Sequence, residues 1–384
     1  MGIHRFTTGV MSALLACTGG AIMVVQAANA GGLERAQLLS WFMAVYVIGG
    51  ALNLALTLKY KVPFAGAHSI TAAAFIGTMA AHVPFAEMAG GFILSGVIIF
   101  VAGCTGWFAK ALAYIPKNVI DGLLAGLLLP YVLKIPSSIG GMPLAGLLAL
   151  AAYFLLPVVT KVLPPAIWAI LFGFIGLLIE NGWPKLASFA FSMPVPVMPA
   201  FSAEALFSIA VPISLLVMSN DLAVAFASLK NNGYEPPVTK SMVASGIAGM
   251  AAGLFGGHAA NIGGMMSAVC SSEEAGKWEG RYGAAVVSSV IVIGFGLLSW
   301  KVIPLIQWMP VPFVALMTGF SLLGIFWNSI KSTTGRAKGS FPAIAAFAVA
   351  AFQVNLFGIS APVWALLAGV AAIKLVSWRK RLKA

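Results

Sequence analysis

Long apolar runs separated by short breaks of polar residues, Pro or Gly occupy almost the whole chain. There are fourteen runs, rich in Ala, Leu, Gly and Ile, and most have the length that a helix needs to cross a lipid bilayer. A membrane-spanning β-strand would instead alternate apolar and polar residues over about ten positions. The pattern therefore predicts an all-α polytopic membrane protein. The runs lie at about 8–28, 36–58, 63–80, 86–109, 115–133, 143–160, 163–180, 203–229, 236–253, 254–272, 282–300, 310–330, 340–357 and 360–378.

The third and tenth runs are short and interrupted by glycine. Gly66 and His68 in the third run stand 190 positions before Gly256 and His258 in the tenth, an offset close to half of the 384 residues. Interrupted apolar segments at corresponding places in two halves are typical of the binding site of a secondary transporter. Because each half holds an odd number of runs, the second half has the opposite orientation. The sequence thus predicts 14 transmembrane segments as 7+7 inverted repeats, in which spans 3 and 10 are broken into an extended segment and a half-helix.

The composition agrees with a lipid environment and bears on orientation. The chain is 60% hydrophobic and only 8% charged, whereas soluble domains average about 25% charged residues. A net charge of +12 could indicate nucleic-acid binding. With the N-terminus in the cytoplasm, however, eighteen of the 22 Lys and Arg residues fall on the cytoplasmic side. This bias predicts a membrane protein with cytoplasmic N- and C-termini and no nucleic-acid partner.

Neither the cysteines nor the N-terminus changes this picture. Cys17, Cys104 and Cys270 lie in apolar runs and form no disulfide framework or metal-ligand cluster, so we expect no metal and no cofactor. The first run resembles a cleavable secretory signal. Its apolar stretch is long and many more spans follow, which favours a first transmembrane helix.

The two breaks predict an anion site. Half-helices starting near Ser69 and Ala260 would direct unpaired N–H groups and partial positive charge at a carboxylate near the midplane. Alternatively, the glycines only allow close helix packing. Phe64 and Phe255 flank the breaks and could stack on an aromatic substrate, although the number of phenylalanines, 25, favours plain packing for both. The candidate substrate-binding residues are Phe64, Gly66, His68, Ser69, Asp221, Phe255, Gly256, Gly257, His258 and Asn261.

Four titratable residues are candidates for proton coupling. Asp221 follows Ser219 and Asn220 inside an apolar span, where a carboxyl group can load and release a proton. Asp121 also lies in an apolar run, but an i,i+4 ion pair with Lys117 is an equally good account. His68 and His258 could titrate near neutral pH, bind the carboxylate, or simply tie down a broken backbone.

Several stretches resemble the benzoate:proton symporter (BenE) family. The resemblance covers nearly the whole chain, is most specific over 254–283, and implies proton-coupled symport of benzoate or a similar aromatic carboxylate. The expected partners are that small organic anion, protons and the lipid bilayer, with a homodimer as one expected assembly. The stretches that carry the resemblance are Gln26-Ala27-Ala28, Val62-Pro63, Gly233-Tyr234 and Ile262–Glu274.

The resemblance also implies a fold shared with nucleobase:cation symporters and sulfate-type anion transporters. In that fold a core domain holds spans 1–4 and 8–11, a gate domain holds spans 5–7 and 12–14, and the substrate lies between the half-helices of spans 3 and 10. In this chain the core domain corresponds to residues 1–110 and 201–302. The gate domain corresponds to residues 111–200 and 303–384.

The chain departs from the family pattern around Asp221, and this keeps other functions open. The family carries a Gln-Asn pair followed by Pro-Gly where this chain has Asp221-Leu222 and Val224-Ala225. Related nucleobase carriers place an acid on span 8, so a nucleobase or other small-solute:proton symporter is the alternative. An integral-membrane enzyme would need a metal cluster or a nucleophile–base pair, and the sequence suggests neither, so we expect no enzyme. A channel suits the inverted, broken spans less well than alternating access does.

Overall fold

The computed structural model describes residues 2–17, 19–106, 108, 117–160, 165–183, 191–334, 340–354 and 361–381. Within these ranges a helix lies in every predicted apolar run, and the only β-type pairing is one isolated bridge. The all-α architecture is therefore confirmed. The helices are α1 (Ile3–Cys17), α2 (Gly19–Ala30), α3 (Arg35–Tyr60), α4 (Ile70–Met79), α5 (Phe85–Thr105), α6 (Lys117–Gly141), α7 (Pro143–Val159), α8 (Pro165–Asn181), α9 (Ala205–Asn231), α10 (Val238–Gly253), α11 (Gly264–Ser271), α12 (Tyr282–Leu297), α13 (Ser299–Trp308), α14 (Val311–Thr334), α15 (Ser340–Ala351) and α16 (Ala361–Arg381).

Helix length and composition identify part of the predicted spans. Among the described residues five helical segments are long and apolar enough to cross a membrane: Arg35–Tyr60, Phe85–Thr105, Asp121–Gly141, Ala205–Asn231 and Trp278–Leu297. A sixth would be the pair Ser299–Ile306 and Val311–Met317, which is bent by 107°. The count of fourteen spans and their inverted pairing remain predictions.

The helices pack in two sets. In the first set α5 packs on α10, and both α1 and α3 pack on α12. In the second set α6 packs on α14 and α15, and α7 packs on α8. Small residues bring the helix axes close together, as expected in lipid. A Cβ atom on Gly96 of α5, for example, would lie 2.8 Å from the carbonyl oxygen of Gly246 on α10.

Two local expectations differ from the structure. The second half-helix begins at Gly264 rather than near Ala260, because the N–H groups of Asn261 and Gly263 bond to the other break instead of to a helical turn. The separate helix α13 was not predicted; it lies between α12 and the bend that leads into α14. The first half-helix begins at Ile70, next to the predicted Ser69.

Candidate functional site

The breaks in the third and tenth apolar runs pair with each other in the antiparallel sense. The N–H of Asn261 donates to the carbonyl of Ala67 over 3.0 Å, and the N–H of Gly263 donates to Ala65 over 2.9 Å. The bridge between His68 and Ala260 continues this pairing. Backbone groups outside a helix are costly in a bilayer unless protein satisfies them. The two extended segments thus allow each other to exist at membrane depth.

Two glycines are required by this geometry. Gly66 has φ +151°, and a Cβ atom there would run into the backbone of Gly263 on the opposite break. Gly256 has φ +74° and lies against the ring of Phe85. Both positions therefore exclude a side chain, because a Cβ atom would overlap its neighbour and the backbone conformation favours glycine.

Gly257 has a different surrounding. A Cβ atom there would lie 3.0 Å from Ala44 and Val45 of α3. Its small size therefore serves the packing of the break against α3. Close approach of a ligand to Gly256 or Gly257 stays a prediction.

Helix α9 contacts both breaks through adjacent residues. Asn220 Nδ2 donates to Thr71 Oγ1 in the first turn of α4 over 3.0 Å. Asn261 Nδ2 donates to Asp221 Oδ2 over 3.1 Å. These side chains lie where α9 widens to π-type hydrogen bonding over Val217–Ala223, an irregularity that is frequent at functional sites.

The two half-helix starts differ in capping. At α4 the Ser69 hydroxyl accepts the Ala72 N–H over 3.3 Å. At α11 the residue before the first turn is Gly263, which has no side chain to cap the helix. A Cβ atom on Gly264 would lie 2.9 Å from the Asn220 carbonyl, so α11 starts directly against α9. The start of α11 can therefore offer backbone N–H groups to an anion beside Asp221.

The polar groups at this place differ in exposure. Ser69 and Asn261 are buried, whereas Asp221 is half-buried. Thr71 and Asn220 are half-buried as well, so the less buried side of the cluster is formed by residues of α4 and α9.

His258 ties the two breaks together. Trp41 Nε1 donates to His258 Nδ1 over 2.9 Å, and His258 Nε2 lies 3.0 Å from the carbonyl oxygen of Ser69. An indole nitrogen only donates and a carbonyl oxygen only accepts. The ring must therefore be the neutral tautomer with its proton on Nε2. This geometry favours the structural role for His258 over proton coupling.

His68 has no comparable partners. Its ring is 1% exposed, and neither ring nitrogen has a hydrogen-bond partner among the described residues. The ring makes edge contacts with Tyr46 and with His258, both at 4.9 Å between centroids. A Cβ atom on Gly20 of α2 would lie 2.9 Å from His68 Nε2. Of the two histidines, only His68 keeps both nitrogens available.

Three predicted site residues lie elsewhere. Phe64 is fully buried, and Phe255 packs beside Ala44 in a separate apolar cluster. Asp121 is buried on α6, where its Oδ1 accepts from Asn231 Nδ2 over 3.0 Å. Asn231 is ten residues beyond Asp221 on α9, roughly 15 Å along a helix. Asp121 is therefore not part of the site at the breaks. The side chain of Lys117, its predicted ion-pair partner, lies outside the described residues.

Residues 254–283, over which the family resemblance is most specific, include the C-terminal end of α11 and the loop that holds it. Arg281 Nη1 donates to the Ser271 carbonyl over 2.9 Å, which caps the last turn with a cation. Asn232 Nδ2 donates to the Ser271 hydroxyl over 2.9 Å. Tyr234 stacks on Trp278, with 4.9 Å between ring centroids. These contacts anchor the half-helix whose other end faces Asp221.

Sequence reasoning missed Trp41 and Thr71 as parts of the site. Thr71 is a polar residue one position into the first half-helix, and its place beside Ser69 was an available signal. Trp41 carries no such signal, because its partner is known only once α3 is packed on the tenth-span break.

Comparison with known proteins covers nearly the whole chain. A family model described as "Benzoate membrane transport protein" (BenE) matches residues 2–375. The inner membrane protein YdcO of Escherichia coli (strain K12) is 29% identical over 368 residues, which cover 94% of this chain and 93% of YdcO. A benzoate membrane transport protein of Acinetobacter baylyi (strain ATCC 33305 / BD413 / ADP1) is 23% identical over 369 residues, covering 95% of this chain and 93% of that protein.

Solved structures share the fold at low identity. The transmembrane domain of a cyanobacterium bicarbonate transporter, BicA, superposes with a TM-score of 0.53 at 16% identity, covering 96% of this chain and 97% of that one. The murine anion transporter Slc26a9 in an inward-facing state gives 0.56 at 15% identity, covering 98% of this chain and 68% of that one. These similarities concern the fold alone.

Proposed function

Because the chain belongs to the benzoate membrane transport protein (BenE) family, we propose that this membrane transporter is a secondary active symporter. Its substrate is a small organic anion, benzoate or a similar aromatic carboxylate, which moves together with a proton. The observation that carries the proposal is the Asn261–Asp221 hydrogen bond beside the uncapped start of α11. A site for a carboxylate and a site for a proton are adjacent there.

The architecture of this proposal is two domains that move relative to each other. Residues 1–110 and 201–302 form the core, and residues 111–200 and 303–384 form the gate. The packing of α5 on α10, and of α1 and α3 on α12, supports the first grouping. The packing of α6 on α14 and α15, and of α7 on α8, supports the second. Fourteen spans in two inverted sevens, cytoplasmic termini, an inner-membrane location and a homodimeric assembly complete the proposal.

Anion binding is attributed to the half-helix starts. The open turn of α11 supplies N–H groups and the positive end of the helix dipole. Thr71 and Asn220 add polar groups from α4 and α9 on the other side. The substrate carboxylate would lie between the helix starts and Asp221. An aromatic ring would extend from there. Phe64 is fully buried and could contact that ring only after a rearrangement, whereas Phe255 is half-buried.

Proton coupling follows from charge repulsion. Two carboxylates a few ångström apart in a medium of low dielectric do not both stay ionised. Binding of an organic anion therefore favours the neutral form of Asp221, and a proton on Asp221 favours binding of the anion by the same factor. Loading from the more acidic side and release of both on the other side give symport. His68 is the next candidate for the proton, because its ring nitrogens are unpartnered among the described residues.

The test is uptake of labelled benzoate into proteoliposomes with and without an imposed pH gradient. Accumulation above the equilibrium level with an acidic outside, abolished by a protonophore, is the expected result. Equilibration without accumulation in the presence of a gradient would contradict coupling. A thermal-shift series with benzoates, nucleobases and inorganic anions identifies the substrate class, because ligands stabilise the state that binds them.

A nucleobase or other small neutral solute is the second candidate. The observation that favours it is the Asp221–Asn261 pair itself, since a carboxylate and an amide can together bind the edge of a heterocycle. Stabilisation by uracil or a purine without stabilisation by benzoate would favour this candidate over the first.

A further inference from the structure

The link between the two breaks extends to a third element, helix α3. Trp41 on α3 is fully buried, and its Nε1–H donates to His258 Nδ1. His258 in turn donates from Nε2 to the Ser69 carbonyl at the cap of α4. The Ser69 hydroxyl lies 3.2 Å from the Thr71 hydroxyl, to which Asn220 of α9 donates. A continuous chain of bonds thus runs from α3 to the edge of the site that faces α9.

We infer that Trp41 is a positioning residue, which holds His258 as a permanently neutral Nε2–H tautomer and thereby fixes the start of α4 for substrate binding. Protonation of Nδ1 would direct a ring N–H at the indole N–H, which has no acceptor to offer. The opposite tautomer would direct a ring lone pair at the Ser69 carbonyl oxygen. Only one form of the ring satisfies both neighbours.

The surroundings of His258 keep this form fixed. The ring is fully buried, with Trp41 at 5.7 Å and Phe92 at 6.2 Å between ring centroids. Among the described residues the titratable ring in contact with it is that of His68, at 4.9 Å. A second positive charge so near the first would be disfavoured, and no acid contacts His258 in the described part of the chain to offset it. The burial of the ring and its two hydrogen bonds therefore both favour the neutral form of His258.

This inference rests on the proposed site, so its first test is independent of substrate. The protein labelled with 15N-histidine would be studied by solid-state NMR in lipid, and the His258 signal assigned by its loss in His258→Gln. The expected signal is a neutral Nε2–H ring from about pH 5 to 8, with a second ring form or protonation appearing in Trp41→Phe. A parent His258 that is the Nδ1–H tautomer, or that protonates within this range, would overturn the inference whatever the substrate is.

The second test separates positioning from proton transfer. Gln at 258 can accept from Trp41 and donate to Ser69 but cannot titrate in this pH range, so His258→Gln should keep gradient-driven accumulation and its pH profile. His258→Leu, which lacks both hydrogen bonds, should lose gradient-driven accumulation or fail to fold. A folded His258→Gln protein that still exchanged substrate between equal pools but lost gradient-driven accumulation would show that the ring carries the proton, and would overturn the inference.

The third test measures the indole bond alone. Trp41→Phe keeps an aromatic ring but removes the donor, and should raise the KM about tenfold, the scale of one buried hydrogen bond, with kcat within about twofold. Trp168→Phe is the matched control, because Trp168 Nε1 has no hydrogen-bond partner among the described residues. The control should behave as the parent. If Trp41→Phe matched this control in KM and in the NMR signal, Trp41 would have no positioning role.

Discussion

Asn231 Nδ2 donates to Asp121 Oδ1 over 3.0 Å and so connects the end of α9 with the start of α6. Helix α6 belongs to the second set, and α9 packs on α5 of the first set. Around this bond lies an interface of small apolar side chains, in which Val224 and Ala268 meet residues of α6, α15 and α16. The residues contributed by these three helices are Val119, Leu123, Ala346, Ala350 and Ala365. The bond is a directional polar contact beside a surface of apolar side chains.

The first prediction concerns Asp121. Asp121→Asn should retain proton-driven accumulation, because an amide can still bond to Asn231 and the residue lies roughly 15 Å along α9 from Asp221. Asn231→Leu should lower the free energy of unfolding by about 1–3 kcal/mol, since it removes a donor from a buried carboxylate. Accumulation assays and thermal unfolding measure the two effects. Loss of coupling in Asp121→Asn would place the proton pathway on α6 instead.

The second prediction concerns Asp221 and uses the same change of side chain. Asp221→Asn imitates the protonated carboxyl group permanently. It should keep substrate binding and exchange between equal pools, yet lose accumulation driven by a pH gradient. Uptake into proteoliposomes with and without the gradient decides this, with Asp121→Asn as the matched control. If Asp221→Asn concentrated substrate as the parent does, His68 would be tested next.

The third prediction concerns the glycines of the breaks. Gly66→Ala should abolish transport and lower the yield of folded protein, because its Cβ atom would overlap the backbone of Gly263 at a positive φ. Gly294→Ala on α12 is the control: nothing lies within 4 Å of its Cβ position, and alanine favours a helix by up to about 1 kcal/mol.

Gly257→Leu should also fail, through overlap with α3. Size-exclusion profiles and uptake rates measure these effects. A normally transporting Gly66→Ala protein would mean that the two breaks do not approach each other as described.

The fourth prediction concerns the anchor of α11. Arg281→Met should lower the melting temperature clearly, because Arg281 donates to the carbonyls of Ser271 and Gly276 at the negative end of the half-helix. Lys277→Met, in the same loop and exposed, should change it little. Thermal unfolding at low and at high salt measures both. Equal melting temperatures for the two variants would contradict the capping role.

The breaks were predictable because their signal is local. Glycine beside a polar residue in an apolar run marks a helix interruption, and the repeat of Gly66 and His68 at Gly256 and His258 placed both interruptions correctly. The start of α11 was wrong by one turn because the extended segment continues as far as its partner, residues 65–67, requires. That length depends on a pairing across the molecule, which no local pattern contains.

Side-chain partners were less predictable than backbone form. Asp221 stood out as an acid in an apolar span, and the structure gives it Asn261 as a partner. The hydrogen bond that fixes the tautomer of His258 comes from Trp41, which is one of ten tryptophans and has no distinguishing neighbours in sequence. Asp121 carried the same sequence signal as Asp221, yet its contact is with Asn231. Burial of an acid therefore indicates a partner without telling whether that partner binds substrate or another helix.

The pairing of the two breaks also constrains how the protein is made. The carbonyl groups of Ala65 and Ala67 receive their bonds from Gly263 and Asn261, which the ribosome adds about two hundred residues later. Until then the third span holds open backbone groups that hydrocarbon cannot satisfy. We therefore expect that the N-terminal half, expressed without the C-terminal half, does not complete the fold of this segment.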